Sequence, residues 1–370
     1  MADHQKKRAA FEDITNSNRE VQRSDKAENF GSVHAPGNFS RQFQNPVYYI
    51  ALMAELWGWL PSASSSRAAV VVRRHADDAI CSAPYALGGA REPVDIDAGE
   101  ENDPAACSTY VCDIFEHLRA SECRRRPTSC YMEIVQHDIN PLMRSILVDW
   151  LVEVALEYRL GSETLFLSVA FVDRYLSTHE IARGRLQLLG VASMLIASKY
   201  EEIYAPAVDD FCYITDNTYA RRDVLAQERA VLGALDYELT QPTTKTFLRR
   251  FIKAASGELE LDQTFEHLCS YLAELTLLDY GMLNYLPSTT AAACVLVALV
   301  TLSQRPWTAT LAHYTGYEPR DLRYAAEAVL GLFATARASS LPAMREKYAS
   351  PKLLCVSALG VPCALPEWLF

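Results

Sequence analysis

Residues 143–160 read MRSILVDWLVEVALEYRL, and their spacing decides how the rest of the chain is read. At ~100° of rotation per residue, Leu147, Leu151, Val154, Ala155 and Tyr158 fall on one helical stripe wide enough to face a core. Met143, Ile146 and Trp150 extend that stripe on one side. The apolar arc then exceeds ~200°, about twice what a surface helix needs, with Asp149, Glu153 and Glu157 on the remainder. The surplus is accounted for either by burial under a further element or by a partner, and periodicity leaves both readings open.

Outward from this helix, the pattern from Pro141 onward is helical almost throughout and falls into two successive groups of five. The first is expected at Pro141 to Tyr158, Glu163 to Ser177, Leu186 to Tyr200, Ala207 to Tyr213 and Thr218 to Leu235. Proline or a polar cap opens several of these, as at Pro141, Ser162 and Asn217. After Gln241-Pro242, the second group is expected at Thr243 to Ala255, Asp262 to Asp279, Ser288 to Ser303, Thr308 to Tyr314 and Arg320 to Thr335. In both groups the third helix is apolar nearly all round, over Leu186 to Ala197 and Thr290 to Leu302, as befits a helix enclosed by four others. The repetition of lengths points to a duplicated five-helix unit.

The 370 residues exceed what one hydrophobic core usually organises, so two domains and a tail are expected. With only 15 glycines and half the residues hydrophobic, the composition favours helices. Acidic residues outnumber basic ones by 46 to 35, and no basic stripe of a nucleic-acid-binding module is evident, so direct nucleic-acid binding is not expected. The ten cysteines contain no Cys-x-x-Cys pair, and the Cys107, Cys112, Cys123, Cys130 group lacks the spacing of a zinc site. They read as reduced intracellular thiols, and neither metal nor cofactor is expected. The first residues lack the apolar run of a signal peptide, and the apolar stretches Val47 to Leu60 and Ala291 to Leu302 fall short of the ~20 residues a span requires, so no membrane association is expected. Residues 1–105 read as a mostly disordered tail, although VYYIALMAELWGWL at 47–60 is conspicuously apolar within it. Residues 106–140 are assigned to an N-terminal helix and linker, 141–240 and 241–350 to the two repeats, and 351–370 to a C-terminal tail.

The string at 143–160 closely resembles the start of the cyclin box in A-type cyclins. The resemblance continues through ETLFLSVAFVDRYLS, GRLQLLGVASMLIASKYEEIYAP and FCYITDNTY, then PTTKTFLRRF and REKY, covering about residues 107–350. FLRRFIKAA and YLAELTLLDY are most similar to plant A-type cyclins. It implies an all-α fold of two consecutive five-helix cyclin-box repeats behind an N-terminal helix, and a non-catalytic subunit that activates a cyclin-dependent serine/threonine protein kinase.

Residue by residue, the resemblance implies a shallow apolar groove for substrates and inhibitors carrying an Arg-x-Leu motif, formed by Met143, Ile146, Leu147, Trp150, Glu153, Leu186 and Gln187. It implies that Lys199 and Glu228 hold backbone groups of the kinase's regulatory helix, with Glu201, Glu202 and Ile203 continuing the contact and Tyr110 and Ile114 adding to it from the N-terminal helix. In the tail, Arg8, Phe11, Ile14 and Asn16 resemble a mitotic destruction box, with Phe11 where leucine is usual, which implies capture by a ubiquitin ligase of the anaphase-promoting type. Residence in the nucleus, and also in the cytoplasm, follows from the same family. From pattern alone, Lys199 and Glu228 read as an ordinary helix-end lysine and a surface glutamate. Two other classes stand beside this reading: a cyclin-fold general transcription factor gripping promoter DNA, which usually brings a zinc ribbon and basic repeats, and a helical hydrolase using His137-Asp138 or Glu201-Glu202.

Overall fold

The computed structural model describes residues 92–100, 103–104, 106–303 and 307–370, and all its regular secondary structure is helical. The described residues belong to two separate units. The smaller, whose described residues are Glu92 and those within 97–112, is mostly a succession of turns leading into a helix at Val111, with Tyr110 N donating to Cys107 O at 3.0 Å. The larger comprises 93–96 and everything from Asp113 to Phe370.

The helices are α1 (Val111–Glu122), α2 (Tyr131–Ile134), α3 (Pro141–Glu157), α4 (Ser162–Leu176), α5 (Leu186–Glu201), α6 (Val208–Ile214) and α7 (Arg221–Ala234). After the linker come α8 (Thr244–Ser256), α9 (Gln263–Leu278), α10 (Pro287–Thr301), α11 (Ala309–Thr315), α12 (Pro319–Thr335) and α13 (Ala343–Tyr348). α3–α7 and α8–α12 are the two expected groups of five. Their boundaries have local causes. Asn140 Oδ1 accepts the Met143 amide at 3.0 Å and Pro141 opens α3, while the Thr243, Asp262 and Thr308 side chains cap α8, α9 and α11. Gly316, at φ 69°, closes α11.

Each group is built round its third helix. In α5, Leu186 and Leu188 through Ser198 are buried, and in α10 so are Ser288 and Thr290 through Leu299, which is why neither sequence shows a polar face. α3 reaches α5 closely, because Gly190 offers no side chain: a Cβ there would lie 2.8 Å from Leu147 Cδ1. α3 is also bolted to the second group. Arg144 Nη1 donates to Leu277 O at 2.8 Å, Ser145 Oγ to Leu278 O at 2.6 Å, and Asp149 Oδ1 accepts the Ala343 amide at 3.0 Å. Asp149, expected on the polar side of its helix, is therefore 8% exposed and fixes the start of α13. α13 in turn brings Lys347 Nζ to 2.6 Å and the Tyr348 hydroxyl to 2.9 Å from the buried Glu274 carboxylate on α9.

Three sequence boundaries are corrected. α7 begins at Arg221 rather than Thr218, because Asp216 and Asn217 take left-handed φ values of 54° and 57° and the Asp223 carboxylate, not Asn217, meets the Ala220 amide. Residues 351–370, expected as a tail, make three single-turn 3-10 helices and bury Val356 and Leu369 from these turns and Leu365 from the chain between them. Within the stretch assigned to the disordered tail, Ile96 is 8% exposed and packed on the second repeat. Residues 1–91 lie outside the described residues, and with them the apolar stretch 47–60 and the motif of Arg8, Phe11, Ile14 and Asn16.

Candidate partner-binding site

Lys199 lies in the last turn of α5 and Glu228 on the adjacent α7, and the packing of these two helices brings the side chains together: Lys199 Nζ meets Glu228 Oε1 at 2.5 Å. The lysine side chain is 48% exposed and the glutamate 12%, so the pair forms a charged edge open on the lysine side. Beyond the helix end, Ile203 and Tyr204 are 75% and 91% exposed, two neighbouring large apolar side chains turned out to solvent. Tyr204 was not singled out from the sequence; its signal was its place after Ile203 in the same short turn.

The acidic pair between them divides in role. Glu202 points inward: its Oε1 accepts the Gly161 amide at 2.7 Å and the Thr164 hydroxyl at 2.5 Å, closing the start of α4. Of the residues expected to face a partner, Glu202 is thus held by its own chain. Glu201 is half-buried, and burial, reinforced by the nearby Glu163 carboxylate, raises its pKa to about 7 against the opposing pull of Arg249. Glu163 itself bridges the repeats, taking the Thr243 hydroxyl and Arg249 Nη2, each at 3.1 Å.

On α1, Ile114 is half-buried, whereas Tyr110, which precedes the helix in the smaller unit, is 61% exposed. The helix is seated by Phe115 edge-on to Phe247 at 6.4 Å and by Glu122, whose carboxylate accepts the Ser288 amide and hydroxyl at 2.9 and 2.7 Å. Burial raises the Glu122 pKa while those donors oppose the shift.

Met143, Ile146, Trp150 and Glu153, with Gln187 on α5, are half-buried. Met143 and Trp150 pack against the core and keep part of their surface outside. Leu147 and Leu186 are 0% and 3% exposed. Expected as groove-lining residues, both are buried under the half-buried side chains around them, and Leu147 lies directly against Gly190.

The most constrained charge in the first repeat was missed by the sequence reading. Arg144 is 1% exposed and forks onto Asp173, Nε to Oδ1 at 2.6 Å and Nη2 to Oδ2 at 2.7 Å, while the Tyr131 hydroxyl donates to the same carboxylate at 2.9 Å. A basic residue in phase with Leu147, Val148 and Leu151 was the signal: an arginine on a core face needs a buried acid. The carboxylate raises the Arg144 pKa despite burial, and burial and the same carboxylate raise that of Tyr131.

The acid-base candidates acquire other duties. Asp138 is held below the usual carboxylate range by Arg183, whose Nε and backbone amide both donate to it. Among the described residues no group of three or more His, Cys, Asp or Glu side chains is placed to hold a metal ion, and no helix is long and apolar enough to cross a membrane.

Comparison with known proteins sets this geometry in a family. The profile described as "Cyclin, N-terminal domain" matches residues 113–240, and "Cyclin, C-terminal domain" matches 242–362. The chain is 51% identical over 280 residues to Cyclin-A1-1 of Arabidopsis thaliana, covering 75% of this chain and 61% of that protein. It is 50% identical over 279 residues to Cyclin-A1-1 of Oryza sativa subsp. japonica, covering 75% of this chain and 55% of that one. It thus spans about three fifths of the length of these two relatives. Putative cyclin-A3-1 of Arabidopsis thaliana is 47% identical over 279 residues, with 75% of this chain and 78% of that protein covered. In fold it is similar to a viral cyclin from herpesvirus saimiri, with a TM-score of 0.53, 22% identity, and 60% of this chain and 98% of the viral chain aligned. The chain, with both cyclin domains and its half-identical plant relatives, belongs to the cyclin family and to its A-type branch.

Proposed function

We propose that this cyclin is a regulatory subunit that binds and activates a cyclin-dependent serine/threonine protein kinase, and that it has no reaction of its own. The observation that carries the reading is the edge made by Lys199 and Glu228 beside exposed Ile203 and Tyr204: a charged donor and acceptor next to apolar surface, suited to gripping the backbone of a partner helix. Activation follows by population shift. A subunit that fits one kinase conformation better presses the kinase's regulatory helix inward, so that its glutamate meets the catalytic lysine, and helps to order the activation loop.

The half-buried Met143, Ile146 and Trp150 serve, in the same proposal, to recruit substrates and inhibitors bearing Arg-x-Leu. Burying a leucine there contributes ~1.5 to 3 kcal/mol, and the Glu153 carboxylate suits a guanidinium. Control of cell-cycle progression through S phase, the G2/M transition and mitosis, residence in nucleus and cytoplasm, and destruction through an anaphase-promoting ubiquitin ligase acting on Arg8 to Asn16 complete the proposal.

The experiment is a separation of functions. Lys199→Ala combined with Glu228→Ala weakens kinase binding roughly tenfold or more, because charge-assisted hydrogen bonds are worth ~1.5 to 3 kcal/mol. Trp150→Ala leaves phosphorylation of a short peptide intact and impairs that of an Arg-x-Leu substrate. Equal loss on both substrates refutes a separate groove, and no stimulation of any cyclin-dependent kinase by the wild-type chain refutes the whole reading.

A further inference from the structure

Of the 17 prolines in the chain, one alone follows a serine or threonine: Pro351, after Ser350. The pair lies in the turn that leaves α13. Ser350 takes φ −65° and ψ 137°, the extended conformation that a following proline favours, and Pro351 opens a single 3-10 turn over Pro351–Leu353. Ser350 is half-buried, while Ala349, Pro351, Lys352 and Leu354 around it are exposed. Its Oγ accepts the Lys352 amide at a long 3.4 Å, and its carbonyl accepts the Leu353 and Cys355 amides at 2.9 and 3.2 Å. Leu354 and Cys355 both take left-handed φ values, 54° and 52°. That conformation is unfavourable for residues with side chains, so opening the turn relieves it and offsets part of the two hydrogen bonds lost.

The surroundings of Ser350 give a charge placed there a consequence. Its amide donates to the Lys347 carbonyl at 3.4 Å, one turn back. Lys347 Nζ is already committed to both oxygens of Glu274, at 2.6 and 2.7 Å. Through that pair on α9, and through Asp149 on α3, α13 ties the two repeats together. We propose that Ser350 is a phosphoacceptor for a proline-directed serine kinase, and that a phosphate there loosens the α13 bridge. In the transfer, Ser350 Oγ bonds to the γ-phosphorus of ATP as the bond from that phosphorus to the β,γ-bridging oxygen breaks. ADP leaves, and the hydroxyl proton passes to the catalytic aspartate of the kinase. The product brings ~1.5 to 2 negative charges at neutral pH to the carbonyl end of α13. The phosphate then competes with Glu274 for Lys347, and Glu274, 1% exposed, bears the loss because water cannot replace the lysine. The inference does not depend on which kinase the chain itself activates.

The test uses the full chain, magnesium ATP and two purified proline-directed kinases: one of the mitogen-activated class, and a cyclin-dependent kinase already complexed with its own cyclin. Mass spectrometry locates the phosphate and calorimetry reads its effect. Phosphate is expected at Ser350 with at least one of the two, and Ser350→Ala and Pro351→Ala are each expected to abolish it. The phosphorylated chain is expected to show its first transition about 2 to 4 °C lower. In a Lys347→Met background the phosphate is expected to lower that transition by less than half as much, because Glu274 has already lost its lysine. No phosphate at Ser350 from either kinase, or an unchanged rate in Pro351→Ala, overturns the assignment. Complete phosphorylation with an unchanged transition, or an equal shift in the Lys347→Met background, overturns the coupling to α13.

Discussion

Glu201 ends α5 with its carboxyl against Glu163 and Glu202, and burial plus the Glu163 charge outweigh Arg249 to raise its pKa to about 7 from an ordinary 4.5. The unfolded chain releases this proton near its ordinary value while the native chain keeps it to about neutrality. The stability this gives is complete below pH ~4.5, is lost as pH rises towards 7, and above 7 the ionised, half-buried carboxylate remains as a standing penalty. Glu201→Gln is therefore expected to be close to neutral at pH 4 and to stabilise the protein by ~1 to 3 kcal/mol at pH 8, read from urea unfolding at the two pH values. A variant no more stable than wild type at pH 8 refutes this. Residues of this kind were only partly legible in the sequence. Lys199 and Glu228 carry no pattern that separates them from ordinary surface charges, since their meaning depends on the packing of α5 against α7. Arg144 did carry one, because its phase places it among leucines and valines, but naming Asp173 as its partner needs the crossing of α3 and α4.

Elements were far more legible than residues, for a physical reason: a 3.6-residue period is written within each segment, whereas contacts are written between segments. The two enclosed helices declared themselves through apolarity all round, and the starts with a local cap, such as Asn140 with Pro141 or Thr243, fell where the sequence placed them. The boundary at α7 was missed because left-handed Asp216 and Asn217 turn the chain before it can begin, a choice that these residue types permit without requiring it. The 3-10 turns after Ser350 were missed because they owe their place to Val356, Leu365 and Leu369 reaching a core built elsewhere. Glycines test the packing of elements. Gly190→Ala sets a methyl 2.8 Å from Leu147 Cδ1 and is expected to cost ~1 to 3 kcal/mol, while Gly233→Ala on α7, which meets nothing within 4 Å, is expected to gain up to ~1 kcal/mol. Urea unfolding of the two variants distinguishes them by sign, and equal effects contradict the close approach of α3 and α5.

Across the larger unit, the two repeats are joined by polar bonds between buried or half-buried groups as well as by apolar contact, and α13 is the clearest bridge: its first amide is taken by Asp149 on α3, and its Lys347 meets Glu274 on α9. Glu274 is 1% exposed, so removing Lys347 leaves a buried carboxylate that keeps the Tyr348 hydroxyl as hydrogen-bond donor and the more distant charge of Lys245. Lys347→Met, which keeps the apolar stem, is expected to cost ~3 kcal/mol and ~5 to 10 °C, and to split a single calorimetric transition into two as the repeats uncouple. One transition at an unchanged temperature refutes the bridge.

Arg144 has a consequence for how the molecule comes into being. Its guanidinium sits in the first repeat, yet one of its donors is satisfied by a carbonyl 133 residues later, on α9. At a synthesis rate of ~5 to 20 residues per second, that acceptor leaves the ribosome roughly 7 to 27 s after the arginine. During that interval the Arg144 guanidinium can already fork onto Asp173 of its own repeat, but its Nη1 has only water to meet, so α3 stays unlocked on the side that α9 will cover.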